Sequence, residues 1–328
     1  MPVQAEPLIH WPEPIFEFIG FAAQFLAVGA VGFRYAAIRH RLAGETADTG
    51  RAAPETVEHA FYANAAVRAA ILGITGAIVS ALLFAYGLPE RATRAHTTVS
   101  ALLTHDLPTS LQAVLTFVGV VGLLLAATRR RAGWPLAAAG VILAPLTGIV
   151  NMQWLRLVNP LHRVVAGLWL GTLFVVVIAG LTPLLRDDRV RERRGTMAAD
   201  MVNGFSPLAL TCGMLVVLSG LITAWRHLNP LSSLWTTPYG WTLIVKLALV
   251  AVVFALGAWN WRRQRPTLGS ETAAVAVRRS SRHELTMATL VLATTAILLS
   301  IPSPRPPRPP GQAPGQMPGP GAPPGPPP

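Results

Sequence analysis

The stretch VVAGLWLGTLFVVVIAGLTPLL, residues 164–185, holds 22 consecutive residues without a charged side chain, between Arg163 and Arg186. A transmembrane helix needs about 20 consecutive apolar residues to cross the hydrocarbon core of a bilayer. A soluble protein breaks its apolar residues into shorter, periodic segments. This stretch therefore predicts a helix that spans a membrane.

Seven similar apolar runs occur elsewhere in the chain. Hydrophobic residues make up 52% of the sequence and charged residues only 13%, whereas soluble domains carry about 25% charged residues. We predict an all-α, polytopic membrane bundle of eight transmembrane helices, at about residues 15–37, 66–87, 108–127, 134–154, 160–185, 203–225, 240–261 and 284–301.

The arginines alternate between the two sides of this bundle. Clusters follow predicted helices one, three, five and seven, at residues 39–51, 129–131, 186–194 and 262–282, whereas the intervening segments are poor in arginine. Because short basic loops stay in the cytoplasm, both termini are predicted to lie outside it. The same rule explains the net charge of +12, so the lipid bilayer is the expected partner and nucleic acid is not.

Composition divides the chain into three parts. Residues 1–154 form a predicted N-terminal four-helix half and residues 155–301 a C-terminal four-helix half. Residues 302–328 consist mainly of Pro and Gly, which predicts a disordered external tail. Such a tail acts as a spacer or as a ligand for a proline-binding partner.

Metal-competent side chains collect at the predicted outer ends of the helices. Cys212 is the only cysteine, so a metal here needs His, Met or carboxylate ligands. His105, Met152, His162 and His227 are the candidates, and imidazole and thioether groups suit copper. The alternative is that these are ordinary residues at helix ends.

His162 belongs to a distinctive segment, because His162, Ala166 and Trp169 share one helix face at i, i+4 and i+7. Gly167 and Gly171 form a G-x-x-x-G pair, which favours close packing of a neighbouring helix and so could hold His162 against it.

Three polar residues sit in or beside the later predicted spans. Lys246 either snorkels to the outer interface or faces the bundle and sets the charge of a cavity. Asn260 either bridges two helices or marks the interface. Glu284 either contacts a leaving cation or interacts with a helix N-terminus.

Sequence motifs of the common enzyme classes are absent. The chain has no glycine-rich phosphate loop, no H-E-x-x-H and no serine nucleophile elbow. We therefore predict that it is not an enzyme.

A series of motifs in the C-terminal half resembles the copper resistance protein D (CopD) family. In order, they are HRVVAGLWLG (162–171), GFSP (204–207), LSGLITAW (218–225), TPYGW (237–241) with Lys246-Leu247, LGAWN (256–260) and RHEL (282–285). The N-terminal half matches the family only loosely, at Gly29, Gly32 and Phe33.

This resemblance implies a multi-pass protein of the bacterial cytoplasmic (inner) membrane that takes part in copper uptake or resistance. It also implies a separate periplasmic CopC-like copper-binding protein as partner. On this hypothesis His162 is the leading copper ligand, assisted by Met152, His227 and His105. Trp169 lies beside the site, and Lys246, Asn260 and Glu284 line the route inward.

Two other functions compete with copper handling. A haem-binding redox or assembly protein would need His162 paired with His105 or His227 as axial ligands. A non-enzymatic membrane scaffold would use the same polar residues for packing alone.

Overall fold

The computed structural model describes residues 12–42, 57–151, 154–227, 232–264, 286–287 and 289–299. These residues form helices joined by short connections, and no strand occurs among them. The predicted all-α class is confirmed. The predicted tail at 302–328 lies outside the described residues, and the division of the chain into halves stays a prediction.

Fourteen α-helices are described, several of which join end to end through tighter or wider turns. They are α1 (Glu13–Gly32), α2 (Arg39–Leu42), α3 (Val57–Tyr86), α4 (Leu88–Arg94), α5 (Val99–His105), α6 (Leu107–Ala127), α7 (Gly133–Leu143), α8 (Trp154–Ala166), α9 (Thr172–Val175), α10 (Thr182–Leu184), α11 (Arg194–His227), α12 (Ser233–Thr236), α13 (Pro238–Gln264) and α14 (Thr289–Leu299). Turns of π-helix occupy Phe33–Ala37, Gly167–Gly171 and Val176–Leu181, and 3₁₀ turns occupy Ala144–Asn151 and Asp188–Arg193.

Seven helical segments of the described chain are long and apolar enough to cross a membrane. They are Glu13–Ala37, Val57–Arg94, Leu107–Ala127, Gly133–Val150, Leu157–Leu184, Asp188–Trp225 and Pro238–Gly257. Each overlaps one of the first seven predicted spans. Within the predicted eighth span only α14 is described as a continuous helix, and its 11 residues are too few for a crossing. Eight spans and external termini therefore stay predictions.

The outer surface of the bundle is apolar. Large side chains such as Leu82, Phe117 and Leu210 are exposed over 64%, 69% and 67% of their surface. Water-soluble monomers rarely expose apolar area on this scale. The protein is therefore a multi-pass membrane protein whose bundle presents these side chains to lipid.

The fifth span, Leu157–Leu184, is the central helix of the bundle. In its most apolar stretch 78% of the residues are buried inside the protein, against 17% for the sixth and seventh spans. The fifth span therefore joins the N-terminal helices to the C-terminal helices.

Glycines bring α1 against this central helix. A Cβ atom on Gly171 would lie 2.1 Å from the carbonyl oxygen of Phe25, and one on Gly29 would lie 2.2 Å from the carbonyl carbon of Gly171. Only glycine permits this backbone approach. The G-x-x-x-G pair thus packs against α1, whereas His162 faces a different helix, α11.

An arginine lies inside the bundle beside the second π turn of the fifth span. Arg68 of α3 donates from Nε to the carbonyl oxygen of Ala179 over 3.0 Å, and its guanidinium lies 5.3 Å from the centre of the Phe61 ring. A π turn widens the helix and frees carbonyl groups. Arg68 therefore satisfies a backbone acceptor that the α-helical pattern would have used.

Two ion pairs link the N-terminal and C-terminal helices at the arginine-rich end of the bundle. Arg41 of α2 pairs with Asp200 of α11, and Glu58 of α3 pairs with Arg193. Nearby, Arg189 hydrogen-bonds to Asp187 through Nε (2.9 Å) and Nη2 (2.8 Å), which lowers the pKa of that carboxyl.

Candidate metal site

His162 lies near the start of the fifth span, at the end of the bundle opposite the arginine-rich loops, here called the outer end. It contacts α11, with Nδ1 2.9 Å from Ser219 Oγ. The neighbouring Gly220 leaves room for the ring, since a Cβ atom there would lie 3.5 Å from His162 Cε1. The contact fixes the imidazole between α8 and α11.

The hydroxyl of Ser219 has its own acceptor, and this determines which nitrogen of the His162 ring carries a proton. Ser219 donates from Oγ to the carbonyl oxygen of Leu215 over 2.5 Å. Its oxygen therefore accepts a hydrogen bond from His162 Nδ1, so that Nδ1 carries the proton. In this tautomer Nε2 keeps its lone pair, and a neutral imidazole with a free nitrogen is the form that binds a metal ion.

A second polar contact supports the same helix pair one turn further out. Thr223 Oγ1 on α11 lies 3.0 Å from both Asn159 Oδ1 on α8 and the carbonyl oxygen of Ser219. Hydrogen bonds between helices hold neighbouring spans in register. His162 is thus placed by a ladder of polar contacts between α8 and α11.

Lys246 of α13 is half-buried. Its ammonium and the Arg163 guanidinium are the charged groups with an electrostatic influence on His162. A positive charge near a metal-binding nitrogen opposes cation binding in proportion to the charge of the ion. Lys246 is therefore close enough for its charge to influence the candidate site.

Trp169 also faces the C-terminal helices. Its ring lies 4.7 Å, centre to centre, from Phe254 of α13, and both it and Ala166 pack beside Leu170 and Val253. The indole therefore joins an apolar cluster below His162.

The other predicted ligands are not brought to His162 within the described residues. His105 is exposed at the end of α5, and the adjacent Asp106 caps α6 by accepting from the backbone N of Thr109 (3.1 Å). The last helical residue of α11 is His227, eight positions beyond Ser219, or about 12 Å along the axis. Met152, Glu284 and the side chains of His227 and Asn260 lie outside what is described.

No group of three or more His, Cys, Asp or Glu side chains that could hold a metal occurs in the described part of the chain. Methionine is not among these four residue types. This absence therefore does not bear on the combination of histidine with methionine that was predicted for copper. His162 is the predicted ligand for which a hydrogen bond to another helix is described.

Several polar residues of this region were missed by the sequence interpretation. Ser219 and Thr223 were noted only for family resemblance, and Asn159 and Arg68 were not noted at all. Arg68 carried a usable signal, because a charged residue inside an apolar span is a functional candidate in a membrane protein. Ser219 carried none, since its partner lies 57 positions away.

Comparison with known proteins places the C-terminal region in a family context. Residues 199–298 match the family model "Copper resistance protein D", which confirms the resemblance over that region. The chain is also 32% identical over 156 residues to the copper transport protein CutJ of Bacillus subtilis (strain 168), an alignment that covers 47% of this chain and 26% of that protein. The chain thus spans about a quarter of the length of that relative.

No solved structure matches the chain. The comparisons give no support to the haem alternative. Both matches, the family model and the Bacillus subtilis relative, are named for copper resistance or copper transport.

Proposed function

We propose that this membrane protein, with its copper resistance protein D region, handles copper at the bacterial inner membrane and binds it at His162. The observation that carries the proposal is the His162–Ser219 contact, which engages Nδ1 and leaves Nε2 as the nitrogen available to a metal ion. The family match and the relative named for copper transport support copper as the cargo.

The helix geometry favours two positions for copper rather than one. Residue 227 lies about 12 Å beyond Ser219 along α11, and Met152 precedes α8 in the sequence. At that separation along the helix, we do not expect His227 to share one ion with His162. Met152 and His227 are therefore proposed as an outer receiving position and His162 as the next position inward.

Movement across the membrane is the finer part of the proposal. Lys246, Asn260 and Glu284 come later in the sequence and are proposed to line the way from His162 inward. The chain carries no nucleotide-binding motif, so movement depends on an ion gradient, the membrane potential or an acceptor inside the cell. A separate CopC-like protein outside the membrane would deliver or receive the copper, and the chain itself would not act as an enzyme.

Metal analysis of the detergent-purified protein tests the ligand assignment. The protein is loaded with Cu(I) in the presence of ascorbate, desalted and assayed for copper by mass spectrometry. We expect His162→Ala and His162→Gln to lose one copper per chain while eluting as folded protein. Unchanged copper content in both folded variants would refute His162 as a ligand.

A matched control uses a histidine at the same end of the bundle. His96 is exposed, and its φ of 52° is tolerated by asparagine, so His96→Asn should keep the full copper content. Loss of copper in His96→Asn as large as that in the His162 variants would indicate non-specific surface binding. Growth of cells in graded copper, with the same variants, then tests whether binding and copper response change together.

A further inference from the structure

A second polar feature lies on the other side of α8 from His162. A cavity of about 220 Å³, here called the outer chamber, lies between α1, α3, α6, α7 and the start of the fifth span. Its polar lining residues are Glu17, Gln24, Ser80, Gln112, Thr116 and Arg163. None of these residues belongs to the copper site proposed above.

The outer chamber contains polar atoms that the protein itself leaves unsatisfied. Gln24 Nε2 and Ser80 Oγ are buried, and neither makes a hydrogen bond to a described residue. Each such atom lowers the stability of the fold if it stays without a partner. A wholly apolar cavity stays dry, but one of this size that holds unsatisfied polar atoms takes up water that satisfies them.

The charged residues of the chamber lie toward its outer end. Arg163 Nη2 is 3.8 Å from Glu17 Oε2, and the Arg163 guanidinium lies 4.8 Å from the centre of the Phe21 ring. Both charged side chains keep roughly two-fifths of their surface exposed. This ion pair therefore lies where the chamber meets the outside.

The chamber extends deep into the bundle. Gln24 lies seven residues beyond Glu17 on α1, which is about 10 Å along the helix axis. The lining lacks His, Cys and Met among the described residues, so its groups suit water and hydrophilic ions better than a soft metal.

We propose that the outer chamber is a water-filled site, open to the outer side, that admits water and small hydrophilic ions to the middle of the N-terminal half. The Glu17–Arg163 pair forms its mouth, and Gln24 and Ser80 form its inner wall. The inference goes beyond copper handling and does not depend on His162.

Thiol labelling tests this directly because the chain has a single native cysteine, Cys212. In a Cys212→Ser background, Ser80→Cys and Gln24→Cys are treated on intact cells with a charged, membrane-impermeant methanethiosulfonate. A thiol reacts as its thiolate, which forms in water but not in lipid. We expect both variants to react at least about tenfold faster than a lipid-facing control.

The control is Leu82→Cys in the same background, since Leu82 is 64% exposed on α3 and lies only two residues from Ser80. Labelling of the two chamber positions at the slow rate of Leu82→Cys, in variants that purify as folded protein, would overturn the proposal. Labelling of the two chamber positions only by reagent applied from the arginine-rich side would also overturn the proposal. Because the readout involves no copper, failure of the copper assignment leaves this result unaffected.

Discussion

The Nδ1 atom of His162 lies 2.9 Å from Ser219 Oγ, across the contact between α8 and α11. The hydroxyl also donates to the carbonyl of Leu215, so the imidazole is the donor in the pair. The hydrogen bond thus sets both the orientation and the tautomer of His162. Ser219 is therefore a positioning residue for the nitrogen proposed to hold copper.

Removing the Ser219 hydroxyl should weaken copper binding without abolishing it. Ser219→Ala leaves His162 Nδ1 without its acceptor, so the ring is free to turn and to change tautomer. Loss of such an outer partner typically costs about 10- to 100-fold in metal affinity. We expect Cu(I) affinity, measured by competition with a chelator, to fall within this range.

Two variants separate positioning from general packing. Ser206 is another buried serine of α11, and it donates to the carbonyl of Val202 over 2.7 Å. Ser206→Ala should therefore leave copper affinity unchanged. Ser219→Thr keeps the hydroxyl, so it should avoid the loss of affinity expected for Ser219→Ala. Equal losses in Ser206→Ala and Ser219→Ala would mean that the hydrogen bond has no special role.

The positions of the spans could be predicted because hydropathy reports directly on the surrounding solvent. Residues 164–185 cannot be placed in water at acceptable cost, whatever their neighbours. The 3₁₀ turn at Ala144–Asn151, which closes the fourth span, includes Pro145, whose missing N–H weakens a continuing α-helix. Local chemistry thus determines where a helix begins and ends.

The partners of the helices could not be predicted in the same way. The G-x-x-x-G pair indicated that Gly171 would approach a neighbouring backbone, but nothing local identified that neighbour as Phe25 and Gly29. Likewise, the sequence correctly placed His162 and Trp169 in a helix. It could not identify their contacts, Ser219 and Phe254, because these contacts depend on how whole helices pack. Side-chain contacts between distant segments arise from tertiary packing.

The charge on Lys246 should discriminate between the two oxidation states of copper. Coulomb repulsion between Lys246 and a bound ion doubles from Cu⁺ to Cu²⁺. Lys246→Met should therefore raise affinity by about tenfold for Cu⁺ and by about the square of that factor for Cu²⁺. The two affinities are measured by competition, with ascorbate present for Cu⁺ only.

Lys246→Arg serves as the control because it keeps the charge and changes the shape. It should retain the natural affinities to within about threefold. An equal gain for both ions in Lys246→Met would argue against electrostatics and for a packing effect. No gain at all would place the Lys246 ammonium too far from the bound ion to matter.

The two glycines of the G-x-x-x-G pair should differ sharply in their tolerance of a methyl group. A Cβ atom at Gly171 would lie 2.1 Å from a backbone oxygen, whereas one at Gly167 would lie 3.3 Å from the side chain of Phe25. Backbone cannot yield as a ring can, so Gly171→Ala should cost about 1–3 kcal/mol or more. Gly167→Ala should cost less than about 1 kcal/mol.

Thermal unfolding of the detergent-solubilised variants measures this difference. Each variant is the control for the other, since both place an alanine in the same central helix against α1. Similar melting temperatures for the two variants would show that α1 and the fifth span are not in backbone contact at Gly171.

The ion pair between Arg41 and Asp200 should help to hold the N-terminal helices against α11 at the arginine-rich end. Asp200→Arg replaces attraction with repulsion and should lower the free energy of unfolding by about 1 kcal/mol, since both side chains are partly exposed. The double variant Arg41→Asp with Asp200→Arg restores opposite charges and should recover most of that loss.

The control is the ion pair between Glu90 and Arg94, which are 3.1 Å apart within the single helix α4. Because this pair does not join two parts of the bundle, reversal of Glu90 measures the effect of a charge reversal alone. If the double variant were no more stable than Asp200→Arg alone, Arg41 and Asp200 would not be coupled, and packing alone would hold α1 and α11 together.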